Sequence, residues 1–554
     1  MNALVPSLDW LRRYQRVWLR ADVVAGLTAA AVVIPKAMAY ATIAGLPVQV
    51  GLYTVLVPTV IYALLGTSAP LSVSTTTTIA ILTGAELAAV APNGGAELAT
   101  AAVTLTLLVG VLLVAASVLR LGFVANFISE PVLTGFKSGI AVVIIVDQLP
   151  KLLGVHFEKT TFLRNLIALV GHVPETSLAT LLVAAAMFAL ILGFERFLPR
   201  VPAPLVAVGL GIAASALLGL SAPGVETVGA IPRGLPAFVL PDLGLVAAMW
   251  PAAAGIALMS FTETIAAGRA FQAPGEPRPR ANQELLALGF ANAGGGLLGA
   301  MPAGGGTTQT AVNRTAGART QLAELVTSAA SLAVVLLLAP VIAYMPQATL
   351  AAVVVAYSIE LIKPVEFRAI LQVRRTEFYW AVVAFAGVMV LGTLKGIVIA
   401  VIVSLLALAQ QTSRPPVYQV ARKRGTNVFR RRSPEDHPDD ESYPGLLMAR
   451  IEGAIFFANA QHVGEQLLPL IDATDPRVIV LDCSALTDLE YTALKALDEA
   501  EERLARDGRT LWLAALNPDV LAMVERAPLG RRLGRERLFF NLELAVAEYQ
   551  RRGR

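Results

Sequence analysis

From Ala21 to about Gln411 the chain alternates long apolar runs with short polar breaks, and then it changes character. A membrane-crossing helix needs about 20 mainly apolar residues. Runs of that kind centre near Ala30, Val57, Val109, Val143, Ala185, Val208, Ile256, Leu286, Val334, Val354, Phe385 and Val401. Two further runs, from Ser72 and from Gly306, begin polar and turn apolar. Counting both gives about 14 spans. The first run follows Arg12, Arg13, Arg16 and Arg20 and contains "AMA" at Ala37 to Ala39, which imitates a secretory leader and its cleavage site. A cleaved leader does not account for the ~370 residues of apolar runs that follow, so the pattern predicts a multi-span membrane domain.

Past Gln411 the pattern becomes that of a water-exposed domain. "TSRPPVYQVARKRGTNVFRRRSPEDHPDDESYPG" is charged and rich in proline, and reads as a linker with one strand. Then "LLMARIEG", "RVIVLDCS" and "RTLWLAAL" read as strands. Between and after them, "AQHVGEQLLPLI", "YTALKALDEAEERLARDG" and "NPDVLAMVERA" read as helices, the last capped by Asn517. Alternating strands and helices predict a small α/β domain. The expected division is an N-terminal segment at 1–20, a transport-type membrane domain at 21–412, a linker at 413–445 and the α/β domain at 446–554.

The two polar breaks are "APLSVSTTTTIAIL" (Ala69 to Leu82) and "PAGGGTTQTAVN" (Pro302 to Asn313). Each has an extended piece, then a threonine-rich stretch, then a helix. Backbone at membrane depth must line a cavity or be buried in protein. Two half-helices starting at mid-membrane would aim free N–H groups and positive dipole ends at one point, which suits an anion. The breaks lie about 50 and about 60 residues into their respective halves, and paired breaks of this kind point to a transporter site. Close packing of small residues is the structural alternative for either break alone.

Charge adds an orientation and a few candidate residues. Arginine and lysine concentrate in one alternating set of loops, at the N-terminus, Arg120, Arg196 and Arg200, Arg269 to Arg280, Arg314 and Arg319, and Lys363 to Arg375. That places both termini in the cytoplasm of a multi-pass protein of the inner or plasma membrane. Lys36 and Glu263 fall inside predicted spans, and such charges are costly enough to be functional hypotheses. They could also pair with each other. Pro35 is expected to break the helix before Lys36. Lys137, near the start of a span, reads as a snorkelling side chain.

Composition excludes several functions. The chain has 554 residues, 56% hydrophobic and 15% charged, and its net charge of +4 is too small to argue for nucleic acid. A single cysteine, Cys483, rules out an intrachain disulfide. His156, His172, His437 and His462 lack zinc-ligand spacing, and no Ser/His/Asp or Cys/His constellation is visible, so neither a metal, a cofactor nor an enzyme is expected.

"AGLTAAAVVIPKAMAYATIAGLPVQVGLY" resembles the first-helix signature of the sulfate permease (SulP) family, bacterial relatives of solute carrier family 26. "ANQELLALGFANAGGGLLGAMPAGGGTTQTAVNRTAGARTQLA" resembles that family's ninth and tenth helices, and the tail resembles its STAS domain. The resemblance spans nearly the whole chain in order. It implies an all-α membrane domain of about 14 transmembrane helices as 7+7 inverted repeats, with a uracil-permease-like core and gate, plus a small cytoplasmic α/β STAS domain. It also implies a homodimer and secondary transport of a small inorganic or carboxylate anion, with H⁺ or Na⁺ as co-ion.

In the family the anion lies between half-helices three and ten. These match Ser74, Thr75, Thr76 and Thr77, and Gly305, Gly306, Thr307, Thr308 and Gln309. Tyr40 matches a pocket-lining position, and Glu263 matches the acidic position associated with coupling. The chain departs from the pattern in three places: Ser74-Thr75 stand for Gly-Pro, Gln309 for Arg, and Lys36 for Gln. The last two together make Lys36 a candidate replacement for a lost pocket cation. In the STAS segment Glu490, Tyr491, Thr492 and Ala493 stand where related antagonist proteins carry Asp-Ser-Ser-Gly with a phosphorylatable serine. Rival readings are a nucleobase permease, an uncoupled anion channel, and a membrane-anchored anion sensor.

Overall fold

The computed structural model describes residues 7–552 apart from 13, 93, 127–128, 158–161, 199–200, 221–223 and 230–233. The chain divides into two compact units, Met1–Leu405 and Leu406–Arg554. The first half of the membrane unit contains α1 (Trp18–Ile43), α2 (Val48–Leu65), α3 (Thr77–Val90), α4 (Gly95–Val118), α5 (Glu130–Leu153), α6 (Leu178–Phe197) and α7 (Ala203–Leu218). The second half contains α8 (Val246–Ala270), α9 (Ala281–Leu297), α10 (Thr307–Thr315), α11 (Leu322–Ala333), α12 (Gln347–Ile359), α13 (Arg375–Leu391) and α14 (Thr393–Ser413). A π turn carries α11 on to Ile342. Among the described residues, 8 helices are long and apolar enough to cross a membrane, and α3, α7 and Val398–Ser413 are shorter apolar helices.

The helices sort into two packed groups, α1–α4 with α8–α11 and α5–α7 with α12–α14. Each group takes its members from both halves of the chain, as a repeated fold requires. Glycines bring helix backbones together within each group. A Cβ at Gly26 of α1 would lie 2.3 Å from the Ala323 carbonyl oxygen of α11, and one at Gly135 of α5 would lie 2.0 Å from the Ala381 oxygen of α13. Pro35 does not break α1, contrary to expectation: the helix runs through it. Residues 29–41 of α1 are almost all buried, so neighbouring helices keep the segment helical despite the missing N–H.

Both polar breaks form the same local structure. A two-residue strand, β1 (Val73–Ser74), precedes α3, and another, β2 (Gly304–Gly305), precedes α10. The two strands pair antiparallel, Val73 with Gly305 and Ser74 with Gly304. Antiparallel crossing of equivalent segments is the arrangement that inverted halves produce.

The second unit has strands β3 (Val417–Arg422), β4 (Phe429–Arg431), β5 (Leu446–Ile451), β6 (Gly453–Ile455), β7 (Val478–Asp482), β8 (Leu486–Leu489), β9 (Thr510–Ala514) and β10 (Leu538–Phe539). The main sheet runs β10-β9-β7-β5-β3-β4, parallel from β10 to β5 and antiparallel beyond. The expected strands and helices are present, including α15 (Ala460–Thr474), α16 (Tyr491–Arg506) and α17 (Pro518–Arg526). Asn517 caps α17 by accepting from the Val520 N–H at 2.9 Å. The stretch read as a linker with one strand supplies two, β3 and β4; β4 is the edge strand, which its arginines suit. Glu490 occupies the N-cap of α16 and accepts from the Phe457 N–H at 2.8 Å.

Cys483 follows β7 and is buried, with its thiol donating to the Leu481 carbonyl. Burial, reinforced by Asp482, pushes the thiol up to about 12. A raised value keeps the unreactive protonated form dominant through pH 8. The folded protein is therefore expected to resist maleimide at pH 8 and to take up one equivalent after denaturation, measured by mass spectrometry. Rapid native labelling would contradict this packing.

Candidate functional site

The site is built around the β1–β2 crossing. Ser72 anchors it: its carbonyl accepts from the Gly306 N–H at 3.1 Å and from Gln309 Nε2 at 3.2 Å. Gln309 Nε2 also donates to Ser74 Oγ at 2.9 Å. The Gln309 side chain thus clamps the start of α10 to β1. Thr264 of α8 accepts from the Gly305 N–H at 2.7 Å, and Ser260 donates to the Ala303 carbonyl at 2.7 Å. Glycine is needed at Gly304 and Gly305 because α8 passes directly behind. A Cβ at Gly305 would lie 2.7 Å from Thr264 Cα, and one at Gly304 would lie 3.0 Å from Ser260 Cα.

The two helix starts differ. Thr76 is the N-cap of α3 and accepts from the Ile79 N–H. Gly306 is the N-cap of α10, so that helix has no side-chain cap. Its first-turn N–H groups are left for another acceptor. Thr307 and Thr308 are exposed at this end, whereas Ser74, Thr75, Thr77, Gly305, Gly306 and Gln309 are buried. The Thr75 hydroxyl is buried with no hydrogen-bond partner among the described residues. Tyr40 of α1 is buried beside the Thr77 side chain, which brings α1 to the start of α3.

Glu263 of α8 is 6% exposed and sits at the start of α3. Its Oε2 accepts from the Thr76 hydroxyl at 2.8 Å, and its Oε1 lies 3.5 Å from Lys137 Nζ. Lys137 is therefore not the snorkelling residue expected from its place near a span start; it turns inward because a buried carboxylate faces it. The alternative pairing of Lys36 with Glu263 is replaced by this one. Lys36 is 2% exposed, with its ammonium 3.5 Å from the centroid of the Tyr357 ring on α12.

Other buried acidic groups escaped the sequence reading. Glu324 of α11 accepts from Ser72 Oγ at 2.9 Å and from Asn313 Nδ2 at 3.0 Å, bracing both breaks from behind. Glu284 of α9 accepts from the Tyr62 hydroxyl at 2.7 Å and from the Thr67 N–H at 2.8 Å. Asp22 of α1 accepts from the Arg319 and Thr320 N–H groups at 2.7 and 3.1 Å. The neighbouring serine, threonine and asparagine were visible in the sequence; which carboxylate they met was not.

Known proteins resemble this chain along nearly its whole length. The family model described as the sulfate permease family matches residues 19–384, and that of the STAS domain matches 437–545. A probable sulfate transporter of Mycobacterium tuberculosis (strain CDC 1551 / Oshkosh) is 35% identical over 551 residues, covering 99% of this chain and 98% of the relative. Probable sulfate transporter 3.4 of Arabidopsis thaliana is 30% identical over 576 residues, covering 99% and 88%. Among solved structures, one of SLC26A9 superposes with a TM-score of 0.92 at 22% identity, covering 100% of this chain and 93% of that one. The transmembrane domain of the cyanobacterial bicarbonate transporter BicA gives 0.61 at 26% identity, covering 70% and 98%. With the β1–β2 crossing, the repeated helical architecture and the C-terminal α/β unit all in place, the chain belongs to the sulfate permease family, multi-span membrane transporters, and carries that family's STAS domain.

Proposed function

We propose that this protein is a secondary active transporter of a small oxyanion, working by alternating access with the anion held at the starts of α3 and α10. The observation that carries the reading is the antiparallel β1–β2 pairing, which brings two helix starts together inside the membrane unit. Helix N-termini there offer N–H donors and positive dipole ends without a full charge. The hydroxyls of Ser74, Thr75, Thr77, Thr307 and Thr308 add donors, with Thr76, whose proton goes to Glu263, and Tyr40, Gly305, Gly306, Gln309 and Lys36 completing the walls. Glu263 carries the coupling ion, a proton or Na⁺. Relative movement of the two helix groups opens the site to either side. The arginine-rich loops argue for a cytoplasmic N-terminus and STAS domain. The reading keeps 21–412 as the transport domain and 446–554 as a STAS domain that supports a homodimer.

Sulfate is the first substrate to test, because sequence relatives are named as sulfate transporters; bicarbonate follows from the BicA likeness. Purified protein in proteoliposomes is expected to accumulate labelled sulfate, bicarbonate or fumarate under an imposed proton or sodium gradient. Anion binding without flux would favour a sensor. Currents far above transporter turnover would favour a channel.

A further inference from the structure

We infer that Lys137 is the mobile cation of the anion site, shared in turn between Glu263 and the transported anion; this rests on the transport reading above. Glu263 already marks the place where an anion is welcome. Its carboxylate sits at the start of α3, takes the Thr76 hydroxyl and faces an ammonium group. The ammonium comes from α5, in the other helix group. Gly135 and Gly139 lie on the face of α5 packed against α13, with the Cβ positions 2.0 Å from the Ala381 oxygen and 2.9 Å from the Phe385 oxygen. Lys137 is two residues from each, which turns it about 200° away from that face, toward α8.

Three features make the partner exchangeable. The separation of 3.5 Å is longer than the about 2.8 Å of a charge-assisted hydrogen bond, so the ammonium donors are not consumed by Glu263. The Lys137 side chain is 26% exposed and can be reached, whereas that of Glu263 is 7% exposed. The pair also joins the two helix groups, so their relative movement must loosen it. Two other cations near the crossing are occupied among the described residues. Lys36 lies against Tyr357, and Arg314 Nη1 is 2.9 Å from Glu276 Oε1.

An arriving oxyanion takes Lys137 as its counter-ion, and a proton or Na⁺ then neutralises Glu263. A monovalent anion entering with one monovalent cation leaves the net charge of the site unchanged. No bond is made or broken beyond that proton's O–H. The titratable groups that surround this exchange are Tyr40 and Lys36 of α1, Glu195 of α6, and Tyr357 and Glu360 at the end of α12. None of them forms an ion pair with Glu263 among the described residues.

The test compares Lys137→Gln, Lys137→Arg and Lys36→Gln in proteoliposomes, using labelled sulfate or, failing uptake, whichever of bicarbonate and fumarate the wild type accumulates. Lys137→Gln is expected to raise the half-saturating anion concentration about tenfold or more, with a smaller effect on maximal rate. Lys137→Arg, which keeps the charge, should recover most of that affinity, and Lys36→Gln should shift it less than Lys137→Gln does. Because Lys137→Gln leaves Glu263 without its counter-charge, the double variant Lys137→Gln/Glu263→Gln, read by downhill anion exchange beside Lys137→Gln in the same assay, guards against misfolding and should show the same weakened affinity. An unchanged half-saturation in both Gln variants of Lys137, or a larger shift in Lys36→Gln, overturns the inference while transport itself stands. A wild type that moves none of the three anions overturns the transport reading and this inference with it.

Discussion

Replacing Glu263 by Gln is expected to abolish gradient-driven accumulation while leaving downhill anion exchange measurable. The substitution keeps size and shape, and the amide oxygen can still accept from the Thr76 hydroxyl, now 2.8 Å away. It removes the negative charge facing Lys137 and the oxygen that would bind a proton or Na⁺. Coupling is lost because neither conformational state then discriminates between co-ion present and absent, and a gradient can do work only through such a difference. Concentrative uptake should fall by about a hundredfold, as expected when a differential interaction of roughly 2–3 kcal/mol is removed. The driving ion follows from wild-type behaviour. If it is the proton, uptake rises as external pH falls, and the variant is flat with pH. If it is sodium, uptake follows the sodium gradient and the variant ignores it. Accumulation that survives Glu263→Gln under both gradients removes Glu263 from the coupling role.

This prediction joins a residue visible in the sequence to one that was not read correctly. Glu263 stood out because a carboxylate inside an apolar run is expensive. Lys137 did not, because a lysine a few residues into a span is ordinarily explained by snorkelling. Only the tertiary meeting of α5 with α8 gives it an inward partner. The two polar breaks were legible as extended-then-helical segments, since glycine and clustered threonine interrupt the apolar pattern at matching places. Their antiparallel register was not legible, because it pairs Val73 with Gly305 and Ser74 with Gly304, residues far apart along the chain. Gln309 itself looked like the site of a missing charge, whereas its amide spans Ser72 and Ser74 and holds α10 in place. In the STAS domain the buried strands were plain from β-branched and leucine-rich runs. β3 and β4 were hidden by arginine and proline, which dominate composition, although arginines sit comfortably on the edge strand β4.

Gly305→Ala is expected to lose both transport and stability, in contrast to two other glycine substitutions. The added Cβ would lie 2.7 Å from Thr264 Cα and 3.0 Å from Thr264 Oγ1. The first of these is backbone of a buried helix, so rotation of a side chain cannot relieve it. The strand would have to move off α8, breaking the 2.7 Å bond from the Gly305 N–H and shifting the start of α10 with it. Overpacking of this kind costs about 1–3 kcal/mol. At Gly306 the nearest atoms belong to the Gln309 side chain, 2.4 Å away, which can swing aside. Gly306→Ala should therefore cost less stability than Gly305→Ala, since only the Gln309 bonds to Ser72 and Ser74 are lost and no backbone must move, while still weakening transport. Gly209 of α7 has nothing within 4 Å of its Cβ position, and Gly209→Ala should match wild type in both respects. Fluorescence-monitored unfolding in detergent and uptake in proteoliposomes, run on all three, separate these cases. A Gly305→Ala protein that transports and unfolds like wild type would mean that the crossing is not pinned against α8, and the site would then have to be built from the helix starts without a rigid strand beneath them.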